Sequence, residues 1–410
     1  MDNITTSLFA RVARWLAWSC LIGALAGTAS AGFLWALDAA TSVRGQQRWL
    51  IWLLPAAGFC VAWLYQRWGA GTDAGINLLI TETRAPTNIV PLRMAPLVLF
   101  GTLMSHLFGA SVGREGTAVQ MGGALSDQLS KHFQVAPQTR TLIIAAGMAA
   151  GFASVFGTPV AGAIWSIEVL ALGALSASAL LPCLLSAVVA HLVALGLGAH
   201  HAHYAAGAMP ALGAVPVLLV MAAGLAFGLT ARAFCAALRS LSALFKRLIA
   251  SSALRPVIGG VAIVVFAMTF GGADRYLGLG LPGIGSAFAG PVAPYDFVLK
   301  LLTTAWSVAS GFKGGEVTPL FFIGATLGNV LAPLLQLPPA FLAAVGLAAV
   351  FAGASNAPLG SAIIAIELFG GDIAVYAAVA CAASYVVSGR QGIYAAQRLQ
   401  YPKLGKRPDA

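Results

Sequence analysis

Charge is what this sequence has least of. Of its 410 residues 9% are charged and 59% are hydrophobic, whereas an ordinary soluble domain carries about 25% charged residues. That shortage excludes a water-facing surface over most of the chain. Acidic residues are the scarcer kind, 13 against 23 Lys and Arg, for a net charge of +10. The basic residues sit in short clusters beside apolar runs with no aromatic-interleaved basic face, so nucleic acid is not an expected partner. The five cysteines (Cys20, Cys60, Cys183, Cys235, Cys381) are odd in number and lack metal-ligand spacing, which leaves them as packing residues and predicts no metal and no cofactor. An intramembrane enzyme using Glu115 or His106 as general base is a reading without support, because no nucleophile elbow, zinc motif or paired aspartate accompanies either residue.

What is present is a series of apolar runs close to the roughly 20 residues that cross a bilayer core. They extend over Trp15–Asp38, Trp49–Trp68, Pro91–Phe108, Leu180–Leu197, Val215–Leu238, Pro256–Phe270 and Ile373–Val387. The first resembles a signal peptide, with Arg14 ahead of it and Ala29-Ser30-Ala31 within it, but the run continues to Ala40, so a retained helix is expected. Arg11 and Arg14, then Arg239, Lys246, Arg247 and Arg255, then Lys403, Lys406 and Arg407 mark three regions that the positive-inside bias assigns to the cytoplasm. Both termini are therefore expected inside, on a multi-pass protein of a bacterial inner membrane.

An internal repeat organises the chain. Gly147–Glu168 (GMAAGFASVFGTPVAGAIWSIE) aligns without a gap on Gly346–Glu367 (GLAAVFAGASNAPLGSAIIAIE), with ten of 22 positions identical. Upstream, GREGTAVQMGGA from Gly113 aligns on GGEVTPLFFIGA from Gly314. Two halves are expected, 1–205 and 206–410, crossing the membrane in opposite senses. Between them His200, His201 and His203 have neither carboxylate nor cysteine at ligand spacing and read as a periplasmic loop rather than a metal site.

Glycine-rich breaks precede expected short helices after Gly75, after Gly113, after Gly315 and after Gly389–Gly392. A helix that begins inside the membrane presents unpaired N–H groups and the positive end of its dipole, an anion site that needs no formal charge. Glu115 stands at such a start, and a carboxylate in an apolar stretch is a functional hypothesis by default. Ionised, it competes with an anion for the same N–H groups; protonated, it is released, which couples anion to proton. The alternative is a capping glutamate locked by Arg114. Glu168, Glu316 and Glu367 are read as helix-terminal or interhelical hydrogen-bond partners. Thr318 and Tyr394 can each donate a hydroxyl to a desolvated anion.

Together these residues resemble the CLC family of chloride channels and anion-proton exchangers over nearly the whole chain. That family surrounds its anion path with motifs of the form GSGIP, G(R/K)EGP and GxFxP and with a late tyrosine. Here the second stands as Gly113-Arg114-Glu115-Gly116-Thr117, the third as Gly315-Glu316-Val317-Thr318-Pro319, and the tyrosine matches Tyr394. GSGIP is replaced by Gly75-Ile76-Asn77-Leu78-Leu79, so the chloride-coordinating serine position holds Ile76. Thr117 stands where the family has proline, and Val169 follows Glu168 where chloride exchangers carry a second, internal glutamate.

These departures, with GFKGGEVTPLFFIGATLGN from Gly311, resemble the fluoride-exporting branch. The resemblance implies an all-α, CLC-like fold of two inverted repeats with broken half-helices, and fluoride/proton antiport with Glu115 as gate and proton acceptor. The anion path it implies is lined by Gly75, Ile76, Asn77, Gly113, Arg114, Gly116, Thr117, Val317, Thr318 and Tyr394. It also implies a homodimer with one pore per subunit and no regulatory domains after Tyr394. A chloride/proton exchanger or a passive chloride channel is the alternative on the same scaffold.

Overall fold

A computed structural model of the chain describes residues 2–171, 177–397 and 403, with side chains described from residue 12 onward and not at 171 and 177. Of the expected cytoplasmic basic residues, Lys406, Arg407 and the side chain of Arg11 lie outside what is described. The described residues form α-helices joined by short loops and 3-10 turns, with no β-strand among them. The first series is α1 (Asp2–Gln46), α2 (Leu54–Trp68), α3 (Ile76–Arg84), α4 (Met94–Phe108), α5 (Glu115–His132), α6 (Pro137–Phe156), α7 (Pro159–Ala171) and α8 (Ala177–Gly196). The second is α9 (Ala214–Leu248), α10 (Arg255–Thr269), α11 (Leu281–Ala289), α12 (Asp296–Ser310), α13 (Val317–Leu335), α14 (Pro339–Ser355), α15 (Pro358–Phe369) and α16 (Ala374–Val387). Long, short and medium helices recur in the same order in both series. Among the described residues six helical stretches are long and apolar enough to cross a membrane, one of them Arg48–Trp68 formed by a 3-10 turn and α2, and six shorter apolar helices accompany them. The expectation of an all-α polytopic membrane protein holds.

Burial is inverted relative to a soluble protein only on the outside. α9 displays Leu218, Leu225 and Leu229, spaced by seven and four residues so that they share a face, and all three are exposed. At the centre, α14 is buried continuously from Phe341 to Ser355, as a helix apolar on every side must be. It packs most extensively on α13, and α6 packs in the same way on α5. Glycine makes both crossings possible: a Cβ on Gly122 would lie 2.2 Å from the carbonyl of Gly147, and one on Gly324 would lie 2.1 Å from the carbonyl of Gly346.

The aligned blocks straddle matching breaks. α6 ends at Gly157 and α14 at Asn356, both left-handed, and Pro159 and Pro358 open the helices that follow, where a missing N–H costs nothing. Glu168 near the end of α7 accepts from the N–H groups of Leu359 and Gly360 at 3.1 and 2.8 Å. Glu367 near the end of α15 returns the arrangement to Val160 and Ala161 at 3.0 and 2.7 Å. Each carboxylate caps the other repeat's helix and satisfies two otherwise orphaned donors, which is the interhelical role expected of this pair.

The structure corrects two expectations. No helix begins within the described residues after Gly389–Gly392; the segment that carries Tyr394 is an irregular turn there. α13 is not too short to span, since its 19 residues are apolar enough to cross. What distinguishes α5 and α13 is that both begin deep in the protein, at buried residues Glu115 and Val317.

Candidate anion site

The starts of α5 and α13 meet head to head. The Gly113 N–H donates to the Gly315 carbonyl at 2.5 Å and the Gly315 N–H returns a bond to the Gly113 carbonyl at 2.8 Å. This antiparallel bridge requires backbone against backbone: a Cβ on Gly315 would lie 2.8 Å from the Gly116 nitrogen. It also directs the two positive helix ends at one another's loops, so each first turn has an acceptor to find.

The acceptor is Glu115. Its side chain, 1% exposed, reaches across to α13 rather than capping its own helix. Oε2 accepts from the Thr318 N–H at 3.1 Å and Oε1 from the Thr318 hydroxyl at 2.5 Å, while the Arg114 N–H approaches Oε2 at 3.3 Å. A carboxylate oxygen therefore sits where a bound anion would take the same donors. The Arg114 guanidinium does not clamp it: Nε stands 3.5 Å from Oε1 and makes no hydrogen bond.

Two cavities lie close to the start of α5. One, of about 190 Å³, is lined by Gly75, Ile76, Gly116, Gly315, Glu316 and Tyr394. The other, of about 30 Å³, is lined by Arg114, Glu115 and Thr318 on one wall and Tyr204 on another. Neighbouring residues at the starts of α5 and α13 line different cavities, Gly116, Gly315 and Glu316 the first and Glu115 and Thr318 the second.

Tyr394 is 4% exposed, and its hydroxyl has no hydrogen-bond partner among the described residues. Leaving a buried phenol unpaired costs on the order of 1–3 kcal/mol, and an acceptor arriving in the larger cavity would remove that cost. The ring is held edge-on to Trp165 at 6.1 Å. Ile76, the first residue of α3, presents an aliphatic surface to the same cavity.

Other expected site residues have different tasks. Asn77 Oδ1 accepts from the Ala396 N–H at 2.8 Å, so its carbonyl ties α3 to the turn carrying Tyr394. The Thr117 hydroxyl is paired with that of Thr102 on α4 at 2.6 Å. The Gly113 amide is occupied by Gly315, and Val317 supplies the buried first residue of α13. His106 is buried on α4 in the wall of a separate cavity. His201 Nε2 donates to the Ser154 carbonyl at 3.0 Å and the ring packs over Gly157, and no group of three metal-ligating side chains occurs among the described residues.

Three residues of the larger cavity escaped the sequence reading. Gln120 lies one turn beyond Gly116 on α5 and lines the cavity; the i, i+4 spacing from a site glycine was the signal for it. Lys313 and Asp73 flank the cavity's exposed side, 3.8 Å apart, with the Lys313 ammonium 3.9 Å above the Tyr65 ring. Nothing in the local sequence pairs them.

Comparison with known proteins agrees with this geometry. Residues 57–389 match the voltage gated chloride channel family. A chloride/fluoride channel protein of Pseudomonas syringae pv. tomato is 53% identical over 397 residues, covering 96% of this chain and 88% of the relative. The crystal structure of a CLC-type fluoride/proton antiporter superposes with a TM-score of 0.91 at 35% identity, over 94% of this chain and 98% of that one. A slow cyanobacterial Cl⁻/H⁺ antiporter, at 21% identity and a TM-score of 0.80 over 92% of this chain and 94% of that one, shares the fold. The sequence matches span the starts of α3, α5 and α13, and the structural superposition covers nearly all of both chains. The chain belongs to the voltage gated chloride channel (CLC) family.

Proposed function

We propose that this protein is a fluoride/proton antiporter of a bacterial inner membrane, exporting fluoride, with Glu115 as both gate and proton acceptor. The observation that carries the reading is the Glu115 carboxylate seated on the Thr318 N–H and hydroxyl close to two cavities. Protonation removes the charge that those donors and the α13 dipole hold in place. The neutral side chain then gives up the site, and an anion takes the same donors. Anion and proton therefore move in alternation through one position, as exchange requires.

Fluoride is favoured by what coordinates. It is small and strongly hydrated, so its site must replace a costly water shell with close donors; Thr318 and the unpaired Tyr394 hydroxyl supply them. Ile76 supplies no hydroxyl at the position where the family places a chloride-coordinating serine. The likeness to a solved fluoride/proton antiporter over nearly the whole of both chains supports the same choice.

The wider architecture belongs to the same reading. The two halves, 1–205 and 206–410, are copies of one unit crossing in opposite senses, supported by the recurring helix order and the reciprocal Glu168 and Glu367 caps. Both termini are cytoplasmic, supported by the three basic clusters. The protein is a homodimer with one pathway per subunit, a reading that rests on the family.

The test is transport by purified protein in liposomes. A fluoride gradient should drive proton uptake and a chloride gradient should not. Fluoride flux with no proton movement would replace exchange by a channel, and equal coupling to chloride would replace the ion.

A further inference from the structure

We infer that the cavity between the end of α1, the end of α4 and the loop entering α11 binds the phosphate group of an anionic phospholipid. This cavity has a volume of about 440 Å³ and is separate from the one holding Tyr394; Arg44, Arg48, Arg275 and His106 contribute to its lining. Its charge is unbalanced. Asp274 is shared between Arg44 and Arg48 at 3.5 Å to each, and Arg275 is paired with Asp296 at 3.4 Å. Behind the wall a further cation, Lys300, is fully buried and held by the carbonyls of Tyr276 and Gly278 at 3.0 and 2.8 Å. Three arginines at the cavity thus share two carboxylates.

Two nitrogens of the lining side chains, Arg44 Nε and His106 Nε2, are buried without a hydrogen-bond partner among the described residues. The unpaired Arg44 Nε–H and the excess positive charge call for an anionic acceptor with several oxygens. The remaining wall, Leu277, Leu279, Leu281 and Pro282, is apolar, which suits the glycerol and upper acyl segments of a lipid and offers nothing to a hydrated free ion. Beside Arg48, the 3-10 turn Arg48–Leu53 exposes Trp49 and Trp52. Tryptophans settle at the headgroup level of a bilayer, which brings the arginines to the depth of the phosphates.

The site borders the gate, because Leu281 lines both this cavity and the small one beside Glu115. The inference rests on the membrane embedding of the chain and not on which ion it carries, so a binding measurement separates it from the transport reading.

The full-length protein in a non-ionic detergent would be titrated with phosphatidylglycerol, phosphatidylcholine or inorganic phosphate, following lipid adducts by native mass spectrometry and melting temperature in parallel. Phosphatidylglycerol should bind and raise the melting temperature, and phosphatidylcholine should do so less. At about a factor of five per interfacial cation, Arg44→Gln should weaken phosphatidylglycerol about fivefold and Arg48→Glu about twentyfold. The Arg48 side chain is 80% exposed, so the second variant folds even where the first does not. Unchanged lipid affinity in Arg48→Glu would overturn the inference. Equal stabilisation of the unmodified protein by inorganic phosphate alone would overturn the lipid as its source.

Discussion

α5 carries two buried carboxylates, and they are held in opposite ways. Asp127 is gripped by the Arg140 guanidinium through Nε at 2.8 Å and Nη2 at 2.9 Å, and it also accepts from the Val90 N–H at 2.7 Å. The same guanidinium reaches Glu82 at 3.1 Å, and Glu82 accepts in turn from Thr87 and Asn88. Every oxygen of Asp127 therefore has a charged partner in bidentate geometry. Glu115, twelve residues earlier, has hydrogen bonds only from uncharged donors, and its neighbouring arginine stands off at 3.5 Å. A carboxylate meant to stay ionised is built like the first. The gate proposed here is built like the second, because neutral donors lose less when the charge disappears.

The sharpest way to break the comparison is to neutralise each acid in turn. Glu115→Gln should abolish proton flux completely while the melting temperature stays close to that of the unmodified protein, since the amide can still accept from Thr318. Proton flux persisting in liposomes would dismiss Glu115 as the carrier. Asp127→Ala should do the reverse, leaving Arg140 and Glu82 without their hub at a cost of about 3–5 kcal/mol, read as a large fall in melting temperature or in yield. Loss of proton coupling with full stability in Asp127→Ala would put the two residues on one footing and end the distinction.

The donors around the gate should give intermediate effects. Thr318→Val removes a hydroxyl bonded to a charged partner, worth about 1.5–3 kcal/mol, and keeps the shape of the side chain. Fluoride transport at subsaturating concentration should fall about tenfold or more. Tyr394→Phe should weaken fluoride about tenfold as well, because its hydroxyl is unpaired while Glu115 occupies the site and gains an acceptor only when the anion arrives. An equal loss in stability for both variants would mark them as packing residues.

How much of this was legible in the sequence depends on how far apart the partners lie. Glu115, Thr318 and Tyr394 could be singled out because a carboxylate or hydroxyl at a helix start in an apolar chain is costly wherever it points. The matching breaks at Gly157 and Asn356 were visible as an alignment because the duplication preserved their spacing. The tasks of Gly113, Asn77 and Thr117 were not legible, since they depend on Gly315, Ala396 and Thr102, which the fold alone brings near. The Arg140 hub and the Lys313–Asp73 pair were missed for the same reason: each charge looks ordinary until its distant partner is known. The expected short α13 failed because length was inferred from the glycine break, whereas the break fixes only where the helix begins.

The finest test of the comparison is Arg114→Gln, because it asks whether the gate feels a cation that does not hydrogen-bond to it. The guanidinium is nearly buried and shares the small cavity with Glu115, and its Nε stands 3.5 Å from Oε1, close enough for Coulombic attraction without a hydrogen bond. Removing it should leave fluoride-driven proton uptake coupled, with its rate changed by only a few fold. Stability should change little, since Nε has no hydrogen bond to lose. A collapse of stability like that expected of Asp127→Ala would mean that Arg114 clamps Glu115 after all, and the acid would then be a structural cap. Coupled uptake at a modestly altered rate in a stable protein keeps it a gate, beside a neighbour that attracts the carboxylate without holding the side chain.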